Sequence, residues 1–202
     1  MIAGIGGASL GTEIAKCLTL AGNYRLFGCD ISPTAYGLYD KQFESTYAVD
    51  SDNYIDSVMA ACRKAGCTWL LPGGEQPMQL LGQVNARLEE NGIRLIANSA
   101  GIVELFSNKA ETFAALARHN VPVPRTRIVR CEEDVAEVGL PCIVKPATGS
   151  GGSVSVFFAM TAEEAMIYAD FIRRGESEPI AQEYIDIEEG EFTIGVLSLP
   201  DG

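Results

Sequence analysis

Lys145 ends an apolar run, Cys142-Ile143-Val144, and is followed by Pro146-Ala147-Thr148-Gly149-Ser150-Gly151-Gly152-Ser153 before a second apolar run, Val154 to Phe158. Glycines let such a loop turn its backbone N–H groups inward, and concave donor clusters of this kind hold anions. Lys145 adds a fixed positive charge, so loop and lysine together could grip a phosphate. The order differs from that of a P-loop, where Gly-Lys-Ser/Thr closes the loop and opens a helix. Here the lysine comes first and the loop joins two strand-like runs. A glycine-rich hairpin beside a chance lysine is the alternative.

Two further groups carry chemistry. Upstream, Ser107-Asn108-Lys109-Ala110-Glu111-Thr112-Phe113 opens an amphipathic helix with Ser107 or Asn108 as its N-cap. The helix ends near His119-Asn120, where Val121-Pro122-Val123-Pro124 forces an extended exit. Lys109 lies in the first turn, where the helix dipole disfavours a cation, so it suggests an anionic partner or else a solvated side chain. Downstream, Pro179 to Ile185 reads as a strand, Asp186 to Gly190 as an acidic turn, and Glu191 to Leu197 as an alternating second strand. Glu183 and Glu191 flank that connection. Carboxylates and exposed backbone at a strand end can read an amino group and ribose hydroxyls, although a solvated acidic hairpin explains them in isolation.

In this order the three groups resemble the ATP-grasp ligases, the family of carbamoyl phosphate synthase large subunit, biotin carboxylase and D-alanine–D-alanine ligase. The resemblance runs from about Ile2 to Gly202. It implies that Lys109 and Lys145 hold the nucleotide phosphates and that Thr148, Gly149, Ser150, Gly151, Gly152 and Ser153 form a mobile loop closing over them. It also implies that Gln182, Glu183, Tyr184 and Ile185 form the adenine-reading hinge, and that Glu191 binds the ribose. The implied cofactors are ATP and Mg²⁺. No residue matches the metal ligands, which are expected beyond Gly202; Leu199-Pro200-Asp201-Gly202 is a hairpin signal whose return strand is missing. The 202-residue chain is therefore expected to be the front of a longer enzyme and to turn over little alone.

The elements that must position these residues alternate. Ile2 to Gly11 runs from a short strand through a glycine turn into a helix from Thr12 to Leu20. Strands are predicted over Arg25–Asp30, Thr68–Glu75 and Arg94–Asn98, with one helix from Gln76 to Glu90. This is the pattern of an α/β fold with a parallel sheet. Cys131 to Val138 reads as a short acidic helix, and Thr161-Ala162-Glu163-Glu164 as a capping box opening a helix that ends near Gly175. The expected organisation is a Rossmann-like domain over 1–100, a helical linking segment over 101–138, and a small α+β glycine-loop lobe over 139–202, incomplete at its C-terminus.

The N-terminal turn carries the rival reading. Gly4-x-Gly6-x-x-Ser9, with Asp30 placed for a ribose hydroxyl, approaches a dinucleotide fingerprint and would make the protein an NAD(P)-dependent oxidoreductase. The third glycine is replaced by Ser9 or displaced to Gly11, and Asp30 could instead cap the exit of its strand. Gly6 and Glu75, at strand ends, are candidate substrate contacts. A non-catalytic adenine-nucleotide-binding module is a third reading.

Composition narrows the classes. A net charge of −12 argues against a nucleic-acid partner, and Arg125-Thr126-Arg127 and Arg173-Arg174 read as solvated faces. No apolar run is long enough to span a membrane. The six cysteines lack the spacing of a zinc site, and as free thiols they point to a reducing cytoplasm. The single histidine, His119, sits at a helix end, which sets histidine-based catalysis aside. Small-molecule substrates fit this picture. Oligomeric state is open, a homo-oligomer included, and element order leans toward carbamoyl phosphate synthase-like relatives.

Overall fold

Short runs of apolar and β-branched residues separated by long, mostly helical connections can pair in parallel, the connections serving as crossovers. In the first half Ile2–Ala3 (β1), Phe27–Asp30 (β2), Ser45–Ala48 (β3), Trp69–Pro72 (β4) and Arg94–Leu95 (β5) do so. The parallel sheet has the order β3-β2-β1-β4-β5. Helices Leu10–Ala21 (α1), Tyr54–Ala65 (α2), Glu75–Gly82 (α3), Asn85–Glu90 (α4) and Ala100–Ser107 (α5) accompany it. The computed structural model describes residues 1–7, 9–149, 154–186, 190–192 and 194–196. It divides into two units, Met1–Leu105 and Phe106–Gly202.

The second unit is built on an antiparallel sheet of Thr126–Ile128 (β6), Cys142–Pro146 (β7), Phe157–Ala159 (β8) and Pro179–Glu183 (β9), in the order β6-β9-β7-β8. Helices Lys109–Arg118 (α6), Glu132–Val138 (α7) and Ala162–Arg174 (α8) complete it. Strand alternation sorts its side chains. Cys142, Val144, Ala159 and Ala181 are buried with Val135 and Val138 of α7 and Ala165, Ala169 and Ile172 of α8. Lys145 and Gln182 project to the other face of the same strands.

The fold is the expected α/β class, with several local differences. The helix predicted over 76–90 is two helices: after Gly82, a weak helix former, Val84 leaves the α region (φ −113°, ψ 21°). The break lets both Leu81 and Leu88 bury fully. Strands β3 and β6 were not anticipated. The strand expected over Val154–Phe158 begins only at Phe157, because Ser155 is left-handed (φ 57°), a conformation no strand contains. The strand expected over Glu191–Leu197 is absent from its described residues, all of which are exposed; among the described residues no strand lies beside them to complete a ladder. Ala8, Thr193 and Leu197, the central part of the acidic turn and the Leu199-Gly202 hairpin signal lie outside the described residues.

The glycine turn after β1 is a packing device. A Cβ on Gly11 would lie 2.0 Å from the Gly4 carbonyl oxygen, and one on Gly73 equally close. The Gly11 amide donates to the Gly73 carbonyl at 3.0 Å. Close approach of helix to sheet requires glycine at both positions.

Candidate functional site

The site is assembled where β7 leaves the sheet. Asn108 caps α6, its Oδ1 accepting from the amides of Ala110 (3.0 Å) and Glu111 (3.3 Å). The next amide, that of Lys109, donates to the Ala147 carbonyl at 2.9 Å, two residues past Lys145. One main-chain bond thus ties the start of α6 to the exit of β7 and sets the two lysines as neighbours. Phe113, one turn along α6, lies under the Lys145 ammonium, 5.7 Å from Nζ to the ring centroid.

Lys145 is half-buried and has no carboxylate partner among the described residues. Its Nζ donates to Gln182 Oε1 at 2.7 Å, and Gln182 Nε2 donates in turn to Thr126 Oγ1 at 3.2 Å. Burial first, and then the positive charge of Lys109, hold the Lys145 ammonium below its ordinary 10.5. A lysine kept charged under these conditions favours an anion from solution. Two cations and a neutral amide define a positively charged corner.

The remaining expected residues fall as follows. Thr148 and Gly149 are exposed and line a groove of 660 Å³ with Val154, Ser155 and Arg174; Gly149 is left-handed (φ 69°). Ser150, Gly151, Gly152 and Ser153 lie outside the described residues. Gln182 is 8% exposed and its amide is engaged at both ends, so its side chain is directed to Lys145. Glu183 accepts from the Arg125 amide (3.1 Å) and guanidinium (3.0 Å), and the Arg125 side chain and amide hold its carboxyl below the usual range. Arg125 is exposed, as expected of a solvated face, and also pairs with Glu183 at the strand end. Beyond Glu183 the chain leaves the ladder, so the main-chain groups of Tyr184 and Ile185 lie past the strand pairing. The Tyr184 ring meets Phe158 edge to face at 5.0 Å. Glu191 is exposed.

Thr126, Phe113 and Phe158 were missed as site residues. Only strand period could have found the first and last, and the strand holding Thr126 is three residues long. Among the described residues no group of three His, Cys, Asp or Glu is placed to hold a metal.

In the first unit Asp30 is committed to structure. Its Oδ2 accepts from the Ile5 amide (2.7 Å) and its Oδ1 from the Ser32 amide (2.9 Å), and it is 8% exposed. That geometry disfavours the ribose role of the NAD(P) reading. A cavity of 220 Å³ lies at the ends of β1, β2 and β4, lined by Gly4, Asp30, Ser51, Tyr54, Gln76 and Leu80 among others. Gly6 lies beside it, where a Cβ would be 3.4 Å from Asp30 Oδ2, and Glu75 is exposed one residue before Gln76.

Comparison with known proteins bears on the fold and family of the chain. The ATP-grasp domain family matches residues 106–198. Phosphoribosylamine–glycine ligase of Pyrococcus horikoshii is 30% identical over 162 residues, 75% of this chain and 36% of that protein. The Vibrio cholerae ligase of the same name is 29% identical over 152 residues, 70% of this chain and 35% of that protein. Among solved structures, biotin carboxylase of Campylobacter jejuni superposes with TM-score 0.70 at 18% identity, covering 92% of this chain and 45% of its own. The N5-carboxyaminoimidazole ribonucleotide synthetase of Thermus thermophilus gives 0.67 at 21%, covering 93% and 48%.

Over residues 106–198 the chain carries an ATP-grasp domain. It spans about a third of the length of the curated relatives it matches. Those relatives are glycine ligases and lend no support to the leaning toward carbamoyl phosphate synthase.

Proposed function

We propose that this chain is the nucleotide-binding front of an ATP-dependent ligase that activates a carboxylate as an acyl phosphate for attack by an amine. The observation that carries the reading is the pairing of Lys109 and Lys145 at the exit of β7 without a carboxylate neighbour among the described residues. Preorganised cations at a transferring phosphoryl group are what such chemistry requires. The names of the relatives, phosphoribosylamine–glycine ligase, point to an amino-acid carboxylate and a sugar amine as the substrate class. Bicarbonate and carbamate are the other acids of the same type.

In this reading Lys109 and Lys145 bind the ATP phosphates, and the loop from Thr148 to Ser153 covers them and excludes water. Gln182, Glu183, Tyr184 and Ile185 form the hinge beside the adenine, with the backbone past β9 doing the reading. Glu191 takes the ribose, and Gly6 and Glu75 are substrate contacts. Mg²⁺ would neutralise phosphate charge when bound; the described residues offer no ligand set for it, and no role here depends on it. We further assign a division into a Rossmann-like domain, a linking segment and a nucleotide lobe. No helix among the described residues is long and apolar enough to cross a membrane. Six unpaired thiols suit the cytoplasm.

The test is thermal stabilisation of the chain by Mg-ATP, a non-hydrolysable ATP analogue and NAD(H), since a ligand that binds only the folded state raises the melting point. Both ATP ligands should raise it and NAD(H) should not. A shift with NAD(H) alone would overturn the reading.

A further inference from the structure

Thr126, Gln182 and Lys145 lie on three adjacent strands and face the same way. Gln182 pairs directly with Thr126 across β6 and β9, and with Ile143 across β9 and β7. Lys145 is two residues beyond Ile143 and so on the same face as Ile143 and Gln182. We infer that Gln182 is a positioning residue for Lys145: a neutral relay from Thr126 through the Gln182 amide aims the ammonium at a polyphosphate and leaves its charge intact. The inference rests on the anion-binding reading of the site.

The chemistry follows from what each end of an amide can do. Thr126 Oγ1 accepts a hydrogen bond from Nε2, which turns the carbonyl end toward the lysine. Oε1 then accepts from Nζ at 2.7 Å, a charge-assisted bond that favours the protonated lysine. A carboxylate at this position would also accept, but it would neutralise the lysine and compete with an incoming phosphate. A leucine would leave Nζ with the Phe113 ring and nothing to fix its direction. Among the described residues the one charged group acting on Lys145 is Lys109 of α6; Phe113, Gln182 and Thr126 are neutral. Lys109 and burial both disfavour the ammonium, and the amide oxygen, together with the Phe113 ring, opposes them.

The test uses the 202-residue chain with Gln182→Leu, Gln182→Glu and Thr126→Val. Two readouts separate the relay from the reading it rests on. The first is the NMR titration of the Lys145 ammonium in the free proteins. Gln182→Leu should lower its midpoint by about one pH unit, Gln182→Glu should raise it, and Thr126→Val should lower it less. A Lys145 midpoint unchanged in Gln182→Leu overturns the relay, whatever the protein binds.

The second readout is calorimetric binding of inorganic tripolyphosphate from pH 7 to 10. Wild-type affinity should fall along an alkaline limb. In Gln182→Leu that limb should move to lower pH, with affinity down about tenfold at pH 8. Gln182→Glu should bind more weakly at pH 7 although its lysine titrates higher, because its carboxylate repels the anion. Equal affinity in all three variants overturns the positioning role. No saturable binding by the wild type overturns the anion reading instead. A purely structural glutamine would lower the melting point of Gln182→Leu and leave the Lys145 midpoint in place, so melting curves accompany both series.

Discussion

Lys145 is held against its own interest. Burial and the neighbouring Lys109 both work against its charge, and one amide oxygen and one aromatic face favour it. Lys145→Met should therefore change fold stability by no more than about 1 kcal/mol, because relief of burial is offset by an unpartnered Gln182 oxygen. ATP affinity should fall about 10- to 100-fold, as expected for a lost charge-assisted contact. Parallel melting and titration calorimetry check both. The pH dependence has a definite sign. With the Lys145 midpoint lowered in the fold, the unfolded chain binds more protons between that midpoint and 10.5. Stability of the ligand-free protein thus rises with pH through that window, while polyphosphate affinity falls through it. At this scale helix and loop signals in the sequence single out Lys109 and Lys145, and the structure sets the two as neighbours. The engagement of Gln182 and Glu183 was not legible, because their partners Thr126 and Arg125 lie more than 50 residues away and only the β6–β9 pairing brings them close.

Caps and breaks decide the elements. Thr161 Oγ1 accepts from the Glu164 amide at 3.2 Å, and Glu164 reaches back to the Met160 amide at 2.7 Å, closing the first turn of α8. Thr161→Ala should cost about 1 kcal/mol, read as a lower denaturant midpoint with an unchanged slope. Such local signals were readable: the cap of α8, the Asn108 cap of α6 and the acidic helix α7 all follow from side chains within four residues. What resisted reading depends on distant partners or on backbone that no residue type announces. A serine at 155 gives no hint that it will turn left-handed and delay β8, and the three residues of β6 show no period.

Across the molecule the two units have different architectures, a parallel sheet and an antiparallel one. Alternation of apolar runs and helices made the first legible as α/β. Its glycine turn, read either as a nucleotide contact or as structure, is committed to packing at Gly11. Gly11→Ala should destabilise the first unit by at least about 3 kcal/mol, since the new methyl would overlap the Gly4 carbonyl. Hydrogen exchange should show protection lost across β1, β2 and β4 and retained in β7 and β9. Exchange loss spread evenly over both units would contradict that confinement.

The cysteines set up a different use of the molecule. Cys29, Cys62 and Cys142 are buried, and burial pushes the Cys29 and Cys62 thiols upward, Cys62 to about 11. Cys67 is half-buried, whereas Cys17 on α1 and Cys131 at the start of α7 are exposed. Contact with Glu133 raises Cys131 further, so a maleimide at pH 7 should label Cys17 first and Cys131 second, leaving the three buried thiols for last. Peptide mass mapping over time checks that order. The unmutated chain thus offers one exposed attachment point in each unit, a faster one at Cys17 and a slower one at Cys131, enough for a donor and an acceptor dye to report distance changes when nucleotide is added.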